Sequence, residues 1–140
     1  MILVTVGTQA PFDRLILAVD RWAGTRGRPD VFAQIGKTTL RPSQMQWVTS
    51  LESAAMLARM REAEAIVAHA GMGTILQALQ LGKPLVVVPR RAGLGEQRND
   101  HQLATARRFE HLGLARVVYE TDQLDDALDA ILTALPDAAG

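Results

Sequence analysis

The sequence predicts an α/β fold in which a parallel β-sheet is covered by helices on both faces. Strand-like apolar runs alternate with helix-like segments along the chain of 140 residues, and this alternation is typical of parallel sheets. Most of the runs are apolar at successive positions, as in strands that are buried on both faces. No internal repeat, low-complexity tract or linker divides the chain, so we expect one domain over residues 1–135.

Six strands are predicted from short apolar runs that end at glycine, proline or polar residues. In chain order they are Ile2–Val6, Val31–Ile35, Met45–Val48, Ile66–Ala68, Leu85–Val88 and Arg116–Tyr119. Gly7 ends the first run, Gly36 the second and Pro89 the fifth. Leu85–Val88 is the most strand-like segment because it consists of a leucine and three valines.

Five helices are predicted from apolar residues that recur at helical spacing. The first begins near Pro11 and carries one apolar face from Phe12 to Trp22. Thr49 and Glu52 fit a capping box, which would open a second helix through Ala63. The other three are Thr74–Leu81, about Asp100–Leu112, and Leu124–Leu135, followed by Gly82, Gly113 and Pro136.

Composition and charge exclude several classes of protein. Lys plus Arg and Asp plus Glu each number 15, and this balance argues against bulk attraction to nucleic acid. The chain has no cysteine, so disulfides and thiolate metal sites are excluded. No apolar run approaches the roughly 20 residues that span a bilayer. The apolar start of the chain has no basic leader, so we expect a first strand, no signal peptide and a cytoplasmic protein. Residues 136–140 are expected to be a disordered tail.

The most informative motif is His69-Ala-Gly-Met-Gly-Thr74, which lies between a predicted strand and a predicted helix. Backbone N–H groups converge at such a junction, and the helix start adds roughly half a positive charge, so the turn is suited to phosphate. Gly71 and Gly73 have no Cβ to block an anion, and Thr74 can add a hydroxyl. The alternative is a tight turn without a ligand. A dinucleotide fingerprint fits less well, because Leu76 stands at its third glycine position.

Other polar residues fall at the same predicted edge of the sheet. Gly7 and Thr8 close the first strand, and their backbone would meet the ligand from the far side. His69 would either contact a phosphate oxygen or fix the turn. The other two histidines, His101 and His111, lie on or near a later helix, so we expect no metal site.

Two further segments have a ligand-binding and a solvated interpretation. Gln77 lies one turn into the helix after Gly73, where it would face the ligand or the solvent. The loop from Gly95 to Gln102 is dense in groups that suit sugar hydroxyls, or it is a solvated loop in which Asn99 or Asp100 caps the next helix. Arg90 and Arg91 would reach a diphosphate or a carboxylate, or form a solvated pair.

Several segments together resemble one family, the C-terminal, nucleotide-sugar-binding half of GT-B glycosyltransferases of family 28. They are Val4–Thr8, Gln34–Gly36, His69–Thr74, Gly82–Pro89 and Asn99–Gln102. Within that family the chain resembles the small soluble subunits of two-component transferases, and Pro89–Gln102 is most similar to the bacterial exopolysaccharide type. The resemblance implies a Rossmann-like sheet that forms a single GT-B half.

The resemblance also implies roles for individual residues. A UDP diphosphate would be held by the histidine-glycine turn and by the end of the first strand: Gly7, Thr8, His69, Gly71, Met72, Gly73 and Thr74. Gln77 would hold the ribose, where the family commonly has Glu. Glu96, Gln97 and Asn99 would contact the donor sugar. No cofactor or metal is implied, and no catalytic residue is identified.

The resemblance implies that this chain works as one subunit of a heterodimer. A membrane-anchored partner would supply the acceptor-binding half, bind a lipid-linked acceptor and usually provide the catalytic base. This chain would then work as a hexosyltransferase subunit in exopolysaccharide or glycolipid synthesis, held at the inner face of the membrane through its partner. Two alternatives are a non-catalytic nucleotide-sugar-binding scaffold or sensor, and an enzyme assembled from two identical lobes.

Overall fold

The computed structural model describes residues 1–135, so the tail predicted at residues 136–140 lies outside the described residues. Six strands form one sheet in which every neighbouring pair is parallel. They are β1 (Ile2–Thr5), β2 (Val31–Gln34), β3 (Gln46–Val48), β4 (Ala65–His69), β5 (Leu85–Val88) and β6 (Arg116–Val117). The predicted parallel sheet is confirmed.

Five α-helices connect and follow the strands. They are α1 (Asp13–Arg26), α2 (Ser53–Glu62), α3 (Met72–Gln80), α4 (His101–His111) and α5 (Leu124–Thr133), with short 3₁₀ turns at Ala92–Leu94 and Thr121–Gln123. Helices α1 and α5 pack on one face of the sheet, where Val4 and Trp22 belong to the same core. Helices α2, α3 and α4 cover the other face around Leu3 and Ile66. The prediction of helices on both faces is therefore confirmed.

The strand order is β3-β2-β1-β4-β5-β6. Strands β2 and β3 lie on one side of β1, and β4, β5 and β6 lie on its other side. At Thr5 this places Gln34 of β2 on one side and Ala68 of β4 on the other. The loops that follow β1 and β4 leave the sheet toward opposite faces, and a crevice opens between them at the carboxyl ends of the strands.

The predicted capping box is wrong. Helix α2 begins at Ser53, its N-cap is Glu52, and no side chain caps it. Thr49 lies three residues too early because its backbone still belongs to the sheet edge. Its carbonyl oxygen accepts hydrogen bonds from the Gly36 amide at 2.9 Å and from Nε2 of Gln34 at 3.1 Å.

Helix α3 begins at Met72, two residues before the predicted start at Thr74. This shift places Met72, Gly73 and Thr74 in the first helical turn, with Gly71 as the N-cap. Among residues 1–135, no helix is both long enough and apolar enough to cross a bilayer.

Candidate functional site

A cavity of about 500 Å³ opens at the carboxyl ends of β1, β2 and β4. It brings together most of the residues that were predicted from separate segments, and these are Gly7, Thr8, His69, Gly71, Met72, Gly73, Thr74, Gln77 and Gln97. None of the described residues that line this cavity is Asp, Glu, Lys or Arg. An anion in the cavity would therefore meet backbone dipoles and neutral side chains, without a carboxylate to repel it.

The first turn of α3 presents backbone N–H groups at the cavity wall. The amides of Met72, Gly73 and Thr74 have no partner within the helix, because the first intrahelical bond runs from the Ile75 amide to the Gly71 carbonyl at 3.0 Å. No side chain caps this end of the helix. These donors and the helix dipole suit an anion at the point where the sequence predicts one, and the binding of an anion there stays a prediction.

The two glycines of this turn have different physical reasons to lack a side chain. A Cβ on Gly73 would have no heavy atom within 4 Å, so this position is open toward the cavity. A Cβ on Gly71 would lie 2.3 Å from Cε1 of His69, and one on Gly7 would lie 2.7 Å from the same ring. The absence of Cβ atoms at Gly71 and Gly7 therefore makes room for the His69 ring, and not only for an anion.

His69 is held in one protonation state by its neighbours. Its Nδ1 atom lies 3.2 Å from Nη1 of Arg90 and 3.1 Å from Nε2 of Gln102. A guanidinium can only donate, so Nδ1 must accept. Burial, and then the charge of Arg90, lower the pKa of His69 to about 4, so the ring is neutral at pH 7. The proton of the neutral ring is therefore on Nε2.

Arg90 is fully buried, so neither interpretation from the sequence, ligand contact or a solvated pair, is correct. Its Nη2 atom donates to the carbonyl oxygen of Val6 at 2.6 Å and to that of Ala10. Its guanidinium also lies over the ring of Phe12, at 5.0 Å from the centroid. Arg90 therefore joins the β1–α1 loop to the turn after β4. Arg91 behaves differently, since its side chain pairs with Glu120 at the surface.

Gln34 and Gln102 are two buried residues that belong to the predicted segments but were given no role of their own. Oε1 of Gln34 accepts from Thr5 at 2.7 Å, and its Nε2 donates to the Gly7 carbonyl at 3.0 Å. Oε1 of Gln102 accepts from the Arg90 amide at 3.0 Å and from the Ala70 amide at 3.3 Å. The available signal was a glutamine at a buried strand or helix position, where its amide must find partners.

The predicted sugar-binding residues lie beside the cavity, in a second depression of about 660 Å³. Gln97 lines both spaces, whereas Glu96 and Asn99 line only the second. The carboxylate of Glu96 is already engaged by Nε and Nη2 of Arg14 at 2.9 and 3.0 Å, and by the Arg91 amide at 3.0 Å. Oδ1 of Asn99 accepts from the His101 amide at 3.0 Å. Their contact with a sugar remains a prediction.

Of the two expected caps of α4, Asn99 is the one whose side chain binds a helix amide, that of His101. Asp100 is the N-cap residue, but its carboxylate accepts from the Ala92 amide at 2.9 Å instead. Across residues 1–135, no group of three or more potential ligand side chains is arranged to hold a metal ion. His101 lines the cavity, and His111 lies at the far end of the same helix.

Curated relatives match parts of the chain. The "UDP-N-acetylglucosamine transferase subunit ALG13" of Eremothecium gossypii is 45% identical over 64 residues, which cover 45% of this chain and 30% of that protein. A Geobacillus kaustophilus transferase that adds N-acetylglucosamine to N-acetylmuramyl-(pentapeptide) pyrophosphoryl-undecaprenol is 35% identical over 75 residues, which cover 52% of this chain and 20% of that protein. The matches thus span less than a third of either relative.

Solved structures support the fold. An NMR structure of ALG13 superposes with a TM-score of 0.66 at 18% identity, covering 95% of this chain and 85% of that one. MurG of Acinetobacter baumannii gives a TM-score of 0.66 at 20% identity, covering 93% of this chain and 40% of that one. The glycosyltransferase of kitacinnamycin gives 0.66 at 22% identity, covering 94% and 35%. These similarities confirm the Rossmann-like, GT-B type of fold.

The family itself is established over almost the whole sequence. The profile described as "Glycosyltransferase family 28 C-terminal domain" matches residues 1–138. The resemblance drawn from the short motifs is therefore confirmed, and the chain belongs to glycosyltransferase family 28, as a C-terminal domain of that family.

Proposed function

We propose that this chain is the donor-binding subunit of a two-component UDP-sugar glycosyltransferase. The observation that carries the proposal is the open first turn of α3, whose amides at residues 72–74 have no intrahelical partner and lie on a cavity without acidic side chains. A diphosphate is the part of a nucleotide sugar that such a turn is suited to hold. The family and the names of both curated relatives, which are N-acetylglucosamine transferases, support this assignment.

The proposed binding mode divides the nucleotide sugar between the two adjoining spaces. The diphosphate lies against His69, Gly71, Met72, Gly73 and Thr74, with Gly7 and Thr8 on the other side. Gln77, one turn along α3, contacts the ribose. The sugar extends toward Glu96, Gln97 and Asn99, which line the second depression.

The proposed reaction is an inverting displacement at the anomeric carbon of the donor, which we infer to be a UDP-hexose. The amides and the dipole of α3 stabilise the charge that develops on the departing UDP, without a metal ion. We assign no general base to this chain. A membrane-anchored partner subunit provides it, together with the site for a lipid-linked acceptor. The heterodimer then works at the inner face of the membrane, in exopolysaccharide or glycolipid synthesis.

Calorimetric titration of the isolated chain with UDP tests the proposal. We expect saturable binding, and we expect Gly73→Asp to abolish it, because the new carboxylate takes the position of a phosphate oxygen. We expect this variant to keep the wild-type fold, since a Cβ at Gly73 meets no atom and the helix dipole stabilises an acidic side chain in the first turn. Gly93→Asp is the matched control, because Gly93 is equally unobstructed and lies outside both cavities.

Two results would contradict the proposal. The first is the absence of UDP-dependent heat with the wild-type chain at millimolar ligand. The second is normal binding by Gly73→Asp, which would mean that the turn is not the phosphate site.

A further inference from the structure

We propose that Arg90 and Gln102 are positioning residues that hold Nδ1 of His69 as a hydrogen-bond acceptor and so present its Nε2 proton to the diphosphate. The proposal rests on the proposed function for the identity of the ligand. It concerns two residues that do not themselves contact the ligand in the binding mode described above. Their effect passes through His69.

The hydrogen bonds at Nδ1 of His69 require this atom to act as an acceptor. The orientation of the Gln102 amide is determined by two backbone N–H groups, those of Ala70 and Arg90, which both bind its Oε1. Nε2 of Gln102 is therefore the atom that faces Nδ1, and it can only donate. Arg90 supplies a second donor to the same atom. Two donors from two elements thus exclude a proton on Nδ1.

The opposite edge of the ring is the one that borders the cavity. Positions for a Cβ on Gly7 and on Gly71 would each lie 2.7 Å from Nε2, and both glycines line the cavity. Within residues 1–135 the hydrogen bonds of the ring are both made at Nδ1. Nε2–H is therefore the donor of His69 that remains for a ligand between the two glycine-containing loops.

Arg90 also sets the distance between these loops. Its guanidinium joins the carbonyl oxygens of Val6 and Ala10, both in the β1–α1 loop, to His69 at the end of β4. A phosphate that contacts both loops needs this separation to be constant. Because Arg90 is fully buried, its charge lies behind the phosphate seat and not in it.

Few ionisable groups face His69, so its protonation can be interpreted directly. Arg90 contacts the ring from the end of β5, His101 lines the same cavity at the start of α4, and Glu96 acts on Arg90. The β1–α1 loop from Val6 to Ala10 contains no ionisable side chain, and neither does α3. A change at residue 102 or 90 is thus expected to dominate any change in the titration of His69.

Gln102→Glu is the decisive variant because it is nearly isosteric. One carboxylate oxygen keeps the two backbone hydrogen bonds, and the other can only accept a hydrogen bond, so it favours Nδ1–H in competition with the Arg90 donor. A neutral ring with its proton on Nδ1 turns a bare Nε2 toward the ligand. We expect UDP affinity to fall at least tenfold at about pH 8 and to recover as the pH is lowered, because the new carboxylate raises the pKa of His69 and favours the doubly protonated ring, whose Nε2–H donates again. The ionisation of UDP cancels in the ratio of variant to wild type.

Arg90→Lys provides a second variant. A single ammonium cannot reach two carbonyl oxygens and Nδ1 at once, so we expect a loss of about tenfold in UDP affinity at pH 7.5. Arg91→Met is the matched control, because the side chain of Arg91 pairs only with Glu120. It should bind UDP as the wild type does.

Long-range ¹H–¹⁵N NMR of His69 supplies a readout that a purely structural role would not move. We expect the Nε2–H tautomer in the wild type and the Nδ1–H form or a doubly protonated ring in Gln102→Glu. The proposal is overturned by an Nδ1–H tautomer in the wild type. It is also overturned if Gln102→Glu has the affinity of the wild type at every pH. If the wild type shows the Nε2–H tautomer but binds no UDP, the proposed function fails while the positioning of His69 stands, so the two failures are distinguishable.

Discussion

Gly71 and Gly73 show how two neighbouring glycines serve different purposes. We predict that Gly71→Ala lowers the free energy of unfolding by about 1–3 kcal/mol, because its Cβ would overlap the buried His69 ring. Gly73→Ala should change it by less than about 1 kcal/mol, since the new methyl group meets no atom. Urea unfolding of the two variants measures the difference. Equal stabilities would mean that the His69 ring does not require a glycine at position 71.

His69 should make the stability of the chain depend on pH in a defined window. Its pKa is about 4 in the folded chain, and the unfolded value is about 6.5. Between these values the unfolded state binds more protons, so the free energy of unfolding falls as the pH is lowered. The loss attributable to His69 is at most about 3 kcal/mol.

Urea unfolding between about pH 7 and pH 4.5 measures this loss, and His69→Gln is expected to flatten the curve over that range. The carboxyl of Asp30 does not interfere. The guanidinium of Arg28 lowers its pKa from 3.8 to about 2, so its contribution is lost mainly as the pH falls from 3.8 toward 2, below this window. A wild-type curve that is level across the window would contradict the prediction.

At the scale of elements, Arg14 connects three segments that are distant in the sequence. From the first turn of α1 it pairs with Glu96, and it also donates to the carbonyl oxygens of Pro89 and Tyr119 at 3.1 and 3.0 Å. The pair is largely buried, with 18% of Arg14 and 10% of Glu96 exposed. This arrangement holds the loop after β5, which carries the candidate sugar-binding residues, against α1 and the segment after β6.

We predict that Arg14→Met lowers the free energy of unfolding by about 2–4 kcal/mol, because the mostly buried carboxylate of Glu96 and two carbonyl oxygens lose their guanidinium donors. Arg91→Met removes an ion pair that is 36% and 58% exposed, and it should cost less than about 1 kcal/mol. Thermal unfolding of both variants compares them. Similar losses would show that the Arg14–Glu96 pair is no stronger than a surface pair.

At the scale of the whole molecule, the order of strands creates the site. Helix α3 follows β4, and the β1–α1 loop follows β1. Strands β1 and β4 are neighbours because the chain, after forming β2 and β3 on one side of β1, returns to place β4 on the other side. The cavity is therefore a property of the complete sheet. A ligand that contacts both loops should stabilise the whole fold, and not one loop alone.

We predict that UDP at 100 times its dissociation constant raises the free energy of unfolding by about 2.7 kcal/mol. For a chain of this size, that gain corresponds to an increase in melting temperature of about 5–10 °C. Gly73→Asp should show no increase, while Gly93→Asp should behave as the wild type does. A shift of equal size in Gly73→Asp would indicate that UDP binds elsewhere.

A second prediction at this scale concerns catalysis. The described residues form one lobe with a single sheet, and we assign no general base to them. We therefore expect the purified chain to bind UDP but to transfer no sugar until a membrane-anchored partner is added. Transfer by the purified chain alone would instead favour an enzyme built from two identical lobes. Radiolabelled donor and an extracted lipid-linked acceptor provide the assay.

The sequence by itself determined the fold class, the approximate position of most elements and the strand-to-helix turn at the cavity. These depend on local signals, namely apolar periodicity for strands and helices and two glycines between a strand and a helix. Two predictions from the sequence were wrong: the start of α3 was two residues late, and a capping box was assigned to Thr49. Both concern the ends of elements, where local signals are weakest.

Only the tertiary structure decided what the buried polar residues do. Arg90 binds the carbonyl oxygen of Val6, 84 residues away, and Arg14 binds Glu96 across 82 residues. A buried donor takes whichever acceptors the fold places beside it, and no spacing along the chain identifies them. The same holds for the tautomer of His69, which is set by side chains from the ends of β5 and α4 that meet only when the sheet is complete.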